Sequence, residues 1–244
     1  MIDFHSHILP GIDDGSRDIQ MTFSMCRMQK KQGVHTVLAT PHFYANHDSV
    51  GNFLFRRKES MDRVSQTAAN IHADFLPHIL PGAEVYYFPG IGTAGMLPNL
   101  CIEGTHALLL EMPFCQWTGQ NYQDVKAMIQ KQELIIILAH IERYVGYQKD
   151  IGIWEKVLQL PGVFPQMNAG AFQNRKKRRF CLQFLKDRNI LLGTDCHNLT
   201  DRRPNMETGR NIIRKKLGEK RLTELDDFGE RMFAKWINGQ EFDG

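Results

Sequence analysis

Short apolar, β-branched runs alternate along the chain with longer stretches in which apolar residues recur at helical spacing. The runs 2–5, 34–39, 79–85, 107–111, 134–139, 163–167 and 190–193 read as buried strands. Between most of them lie helical patterns at 18–32, 52–71, 122–131, 151–160 and 173–188, and the chain after Asn205 reads as helical to near its end. In the first of these, Ile19, Phe23 and Cys26 share one face. Strand, helix, strand in this rhythm predicts a parallel sheet, open or closed into a barrel. The strand ends favour the barrel. Reading each run to its C-terminal edge gives His5/His7, His42, Glu84, Glu111, His140, Asn168 and Asp195/His197. A closed parallel barrel gathers such edges at one mouth, whereas an open sheet spreads them along a line. The expected fold is an α/β, distorted seven-stranded β/α (TIM-like) barrel.

Bulk properties narrow the picture without changing it. With 244 residues and no repeat or linker-like stretch, residues 1–244 are expected to form a single domain. No apolar run reaches the length of a membrane span, and Met1 leads into Ile2-Asp3-Phe4-His5 without a signal-peptide pattern. The five scattered cysteines form no CxxC pair, which fits a reducing, cytoplasmic compartment. A net charge of +3 does not suggest a nucleic-acid partner. The basic run Arg175 to Arg179 is expected to be a solvated helix face, with docking of an acidic partner as the minor alternative.

The chemistry lies in the strand ends. In a strand, residues two apart share a face, so His5 and His7 can grip one ion, and Asp195 and His197 repeat the arrangement. His140 emerges from the apolar run before it, while Glu84 and Glu111 adjoin apolar strands, where a carboxylate is costly without a cation or hydrogen-bond partner. Mixed imidazole and carboxylate donors suit zinc, manganese or iron. So many candidates imply two or three divalent ions, able to ionise a bridging water and to clamp the oxygens of an in-line displacement. His35, His47, His72, His78 and His106 lie away from the presumed rim and are expected to be structural or solvent-facing.

His5-Ser6-His7 with Pro10 to Gly15, then Thr40-Pro41-His42, Gly82-Ala83-Glu84, His140-Ile141-Glu142-Arg143-Tyr144 and Asp195-Cys196-His197-Asn198, resembles the PHP (polymerase and histidinol phosphatase) superfamily. Within it the run looks most like the bacterial metal-dependent protein-tyrosine phosphatases of capsule and exopolysaccharide loci. The resemblance implies a trinuclear centre often served by manganese and dephosphorylation of a bacterial tyrosine kinase. By position it implies His5, His7, Asp195 and a bridging Glu84 at one ion. Glu84, Glu111 and His140 would hold a second, and Asp14, His42 and His197 a third. Asp13 competes with Asp14 for its place. Arg143 and Arg202 match phosphate-contacting arginines, with Arg203 an alternative to Arg202, and planar guanidinium groups suit phosphoryl oxygens. On the residues themselves, Asn168 is expected either to orient a ligand or a loop or to be purely structural. Either His42 or His197 would supply the leaving-group proton. Three other chemistries compete: a cysteine phosphatase using the Cys196/Arg202 C-x5-R spacing, an amidohydrolase-type barrel, and a histidinol- or sugar-phosphate phosphatase. A non-enzymatic metal module is the remaining alternative.

Overall fold

A computed structural model of the chain describes residues 1–239. Among them nine strands run in chain order as β1 (Ile2–Ser6), β2 (Thr36–Ala39), β3 (His42–Phe43), β4 (His78–Pro81), β5 (Glu84–Tyr86), β6 (Ala107–Glu111), β7 (Ile135–Leu138), β8 (Val163–Asn168) and β9 (Leu191–Gly193). The helices are α1 (Ile19–Lys31), α2 (Val50–Asn70), α3 (Gly119–Gln132), α4 (Gly152–Leu158), α5 (Arg175–Phe184), α6 (Met206–Leu217) and α7 (Glu219–Ile237). All strand pairs are parallel, in the orders β1-β2-β4 and β3-β5-β6-β7-β8-β9.

These two sheets are arcs of one ring. β2 and β3 are halves of a strand broken at Thr40-Pro41, and β4 and β5 are halves of its neighbour, broken at Gly82-Ala83. The halves stay in step across the breaks, since Gly82 N donates to Ala39 O at 2.8 Å and Glu84 N to Pro41 O at 3.0 Å. At the other seam Asp195 N donates to His5 O at 2.8 Å and His7 N to Cys196 O at 2.9 Å, flanking a Ser6–Cys196 bridge. With each broken strand counted once, a distorted seven-stranded barrel results. The predicted strand 79–85 is therefore corrected to two segments, and β3 is a strand that the sequence pattern did not announce.

Helix boundaries follow the capping chemistry. Asp18 caps α1 by accepting from Met21 N, Ser49 caps α2 through Asn52 N, and Thr118 and Asn121 form a capping box on α3. The C-terminal helical stretch is two helices, because Gly218 between them has φ +91°. The basic run occupies the start of α5, with Arg175, Lys176 and Arg179 exposed.

Side chains inside the ring, among them Phe4, Leu38, Leu80, Leu109, Ile137 and Leu191, form one apolar cluster. Phe228, Met232, Phe233 and Trp236 of α7 pack against it and plug the end of the barrel away from the strand C-termini. A second, larger cluster lies between the strands and the surrounding helices. One irregularity shapes the open end. Asp3 pairs with Val37 but Ser6 with Ala39, so β1 carries one extra residue. That bulge lets Phe4 enter the interior cluster while His5 and His7 face the cavity above it.

Candidate metal centre

Every strand-end residue predicted to matter reaches the barrel mouth. His5 and His7 bring their Nε2 atoms to 3.1 Å, while Ser6 turns away to donate to Leu38 O. Glu84 Oε2 lies 3.2 Å from His5 Nε2 and 3.3 Å from His7 Nε2, and Asp195 Oδ1 approaches the same atoms at 3.6 and 3.5 Å. On one side His140 Nε2 stands 2.9 Å from Glu84 Oε1 and 3.2 Å from Glu111 Oε1. On the other, Asp14 Oδ1 is 3.5 Å from His42 Nε2 and 3.4 Å from His197 Nε2. Three sets of donor atoms are close enough to share a cation: His7/Asp14/His42/His197, His5/His7/Glu84 and His42/Glu84/Glu111. They overlap at His7, His42 and Glu84.

The electrostatics require positive charge here. Glu84, Glu111 and Asp195 are buried. Burial opposes the charge on Glu84, yet the His5 and His140 imidazoles hold its carboxyl well below the usual range. Burial likewise opposes a charged His7, but Asp13 and Glu84 outweigh it and raise that imidazole to about 10. His140 is raised to about 9, its burial outweighed by Glu111 and Glu84. His197, buried and beside His7, falls to about 3. Protons held so firmly occupy places that suit a metal cation. The donor geometry agrees: His42 Nδ1 and Glu84 Oε2 are 3.0 Å apart without hydrogen-bond alignment, and His197 Nε2 is buried with no hydrogen-bond partner among the described residues. The residues fit a cluster of divalent ions.

Local backbone strain marks the same place. His140 and Asp195 have φ of +29° and +51°, a region that non-glycine residues avoid. Supporting side chains hold both. Gln166 Oε1 accepts from His140 N at 2.6 Å and lies 3.2 Å from His5 Nδ1, while Gln166 Nε2 donates to Asn168 Oδ1. Asn168 Nδ2 in turn donates to Asp195 Oδ2 at 2.8 Å, so Asn168 holds one of the candidate donor carboxylates. Sequence reasoning missed Gln166; its one signal is the two-residue spacing that places it on the face of Asn168.

The Asp13 and Asp14 positions differ in kind. Asp13 is mostly buried and accepts from His7 Nδ1 and from the backbone N–H groups of Gly15 and His42. Asp14, with a side chain 65% exposed, is the one facing His42 and His197. Among the arginines, Arg143 pairs with Asp195 rather than neighbouring Glu142, and Arg202 Nη2 donates to Asp195 Oδ1 at 2.9 Å. Arg203 is exposed on another surface, beside Thr200 and Pro204. Cys196 is buried behind the site, its Sγ 3.7 Å from Gln29 Nε2, and burial pushes its thiol far up. That placement excludes Cys196 as an attacking thiolate.

Beside the His7/Asp14/His42/His197 set opens a cavity of about 490 Å³, walled by Asp14, His42, Tyr44, His47, Asp48 and Arg56 among others. His47, expected to lie away from the rim, is on this wall, 5.8 Å from the Tyr44 ring. His35 instead bonds Glu230 and His78 is exposed, as expected of bystanders. No helix among the described residues is long and apolar enough to cross a membrane.

Known proteins share this architecture. The family described as capsular polysaccharide synthesis, CpsB/CapC, matches residues 1–227. Tyrosine-protein phosphatase YwqE of Bacillus subtilis is 26% identical over 226 residues, covering 89% of this chain and 85% of its own. Tyrosine-protein phosphatase CpsB of Streptococcus pneumoniae is 26% identical over 247 residues, covering 92% and 94%. A crystal structure from work on those two proteins, called there unique metal-dependent tyrosine phosphatases, has the same fold. It aligns with TM-score 0.79 at 24% identity over 99% of this chain and 96% of the other. With matching fold, ordered motifs and a family match over nearly its whole length, this chain belongs to the CpsB/CapC capsular polysaccharide synthesis family.

Proposed function

We propose that the protein is a metal-dependent protein-tyrosine phosphatase that hydrolyses phosphotyrosine on a bacterial tyrosine kinase of polysaccharide export. The observation that carries this reading is the set of overlapping donor clusters around Glu84, His7 and His42, flanked by two guanidinium groups. The relatives' names add the substrate class: YwqE and CpsB are tyrosine-protein phosphatases. In this proposal His5, His7, Asp195 and Glu84 serve one ion, Glu84, Glu111 and His140 a second, and Asp14, His42 and His197 a third. Manganese is the proposed metal, with iron or zinc as alternatives, and the whole chain acts as one domain in the cytoplasm.

Divalent ions bound there supply Lewis-acid charge for the phosphoryl oxygens and acidify water at neutral pH. The protein's own groups do the rest. Arg143 and Arg202 converge from the ends of β7 and β9, each with N–H donors beyond those on Asp195, and hold the phosphate by paired hydrogen bonds. Asp13, bonded to His7 Nδ1, fixes that ring's tautomer and aims Nε2 inward. Of the two imidazoles considered for the leaving-group proton, His42 reaches the cavity whereas His197 is buried, which supports His42 for that role with one ring nitrogen left free of metal.

The test is turnover of a phosphotyrosine peptide, a phosphoserine peptide and a sugar phosphate, each with and without a chelator, alongside elemental analysis. Phosphotyrosine turnover should dominate and vanish on chelation. Glu84→Ala should lose activity by about 100-fold or more, as expected for a residue shared between ions. Preferred turnover of the sugar phosphate would instead favour a small-molecule phosphatase.

A further inference from the structure

The metal-facing residues have companions one step further along their strands. His42 is followed two residues later by Tyr44, Glu84 by Tyr86, and Glu111 three residues later by Phe114. Two residues on in a strand is the same face one layer higher, so Tyr44 and Tyr86 stand at the rim above the ligand layer, and Phe114 joins them from the loop beyond β6. The contacts bear this out. Tyr44 lies 5.4 Å from the His42 ring and 5.7 Å from Tyr86, and Tyr86 is opposite Glu111 in the β5–β6 ladder. Phe114 stacks on His140 at 6.1 Å with ring planes 19° apart and also touches Tyr147 at 6.0 Å.

β3, β5, β6 and β7 are consecutive neighbours in the sheet, so these rings form an arc along one side of the mouth. Next to this arc, the segments after β7 and after β9 carry Arg143 and Arg202 on Asp195. Phe114 and Tyr147 are 37% and 49% exposed, large apolar surface left in water beside a highly polar centre. Tyr44 and Tyr86 are half-buried, and neither hydroxyl makes a hydrogen bond among the described residues. Their packing therefore depends on the ring faces. An ester with a dianionic end and a flat apolar end matches a mouth that carries guanidinium groups beside aromatic rings.

We propose that Tyr44, Tyr86 and Phe114 form an aryl-binding rim that selects aromatic over aliphatic phosphate esters by stacking on the leaving group's ring. This inference rests on the phosphatase reading and adds the residues that determine its specificity. The probes are phenyl phosphate and a fluoroalkyl phosphate whose alcohol is about as acidic as phenol, so that leaving-group reactivity cancels and ring recognition remains. A parallel measurement compares inhibition by benzylphosphonate and cyclohexylmethylphosphonate, in which no bond breaks.

The ratio of kcat/KM for the phenyl over the fluoroalkyl ester should exceed about tenfold in the wild type and fall about tenfold in Phe114→Leu with Tyr86→Leu. The benzyl preference among the phosphonates should fall with it. Phe114→Tyr should restore the ratio, and Tyr44→Leu gives the same test should the double variant not fold. A ratio near one in the wild type, or one unmoved by these substitutions, overturns the aryl rim while leaving the phosphatase reading standing. Absence of turnover of either ester by metal-loaded wild type overturns both.

Discussion

Gln166 holds two parts of the centre at once: its Oε1 takes the N–H of His140 and faces His5 Nδ1. Gln166→Leu leaves a buried N–H unpaired and frees the His5 ring. Metal affinity, read by competition with a chromophoric chelator, should fall about 10- to 100-fold, while Gln166→Glu, which keeps the acceptor, should lose less. Cys196→Ser should retain most of its turnover, because the sulfur faces Gln29 rather than the mouth; loss of activity would revive the thiol mechanism. At this scale the candidate donors that converge at the mouth were legible because imidazoles and carboxylates beside apolar strands have few other uses. The supporting residues were not. Asp13 and Gln166 gain their roles from partners brought together by folding, His7 by a turn and His140 from a distant strand. Alternation alone would also have set Phe4 and His5 on opposite faces, and only the extra residue in β1 lets both serve the interior.

Helices were more legible than strands, since caps and apolar spacing are local while strand breaks answer to neighbours. Nothing in 79–85 marks Gly82 as a corner until Ile102 is seen against it: a Cβ there would lie 2.3 Å from the Ile102 side chain. Gly209 is the sharper case. It lies inside α6, where alanine is favoured by about 1 kcal/mol on propensity alone. A Cβ at this position, however, would meet Ala169 at 2.6 Å from its O and 2.8 Å from its Cα, backbone that cannot swing aside. The clash should win. Gly209→Ala is expected to destabilise the protein by roughly 1–2 kcal/mol net in chemical unfolding, the low end of overpacking costs after the propensity gain. Because Ala169 follows Asn168 directly, the same change should loosen the Asn168–Asp195 bond and weaken metal retention.

At the scale of the molecule, the centre exists only because the ring closes. His5 and His7 sit at the front of the chain and Asp195 and His197 near its end, and the β1–β9 seam is what joins them. The seam is pinned by Asp3, a buried carboxylate that accepts from Thr194 N at 2.8 Å, Thr194 Oγ1 at 2.6 Å, Gln29 Nε2 at 2.7 Å and His5 N at 3.2 Å. Burial pushes its pKa up, against the pull of those same donors. Three of the four are amide N–H groups with no acceptor role, so the site is matched to a group with two acceptor oxygens. Asp3→Asn keeps the shape but turns an NH2 toward a donor, leaving at least one buried N–H unpaired, at a cost of about 1–3 kcal/mol. The expected result is a lower unfolding midpoint together with weaker metal binding, because the slack appears between His5 and Asp195. Asp3→Asn protein with wild-type stability and wild-type metal affinity would mean that the seam is held by its backbone ladder alone.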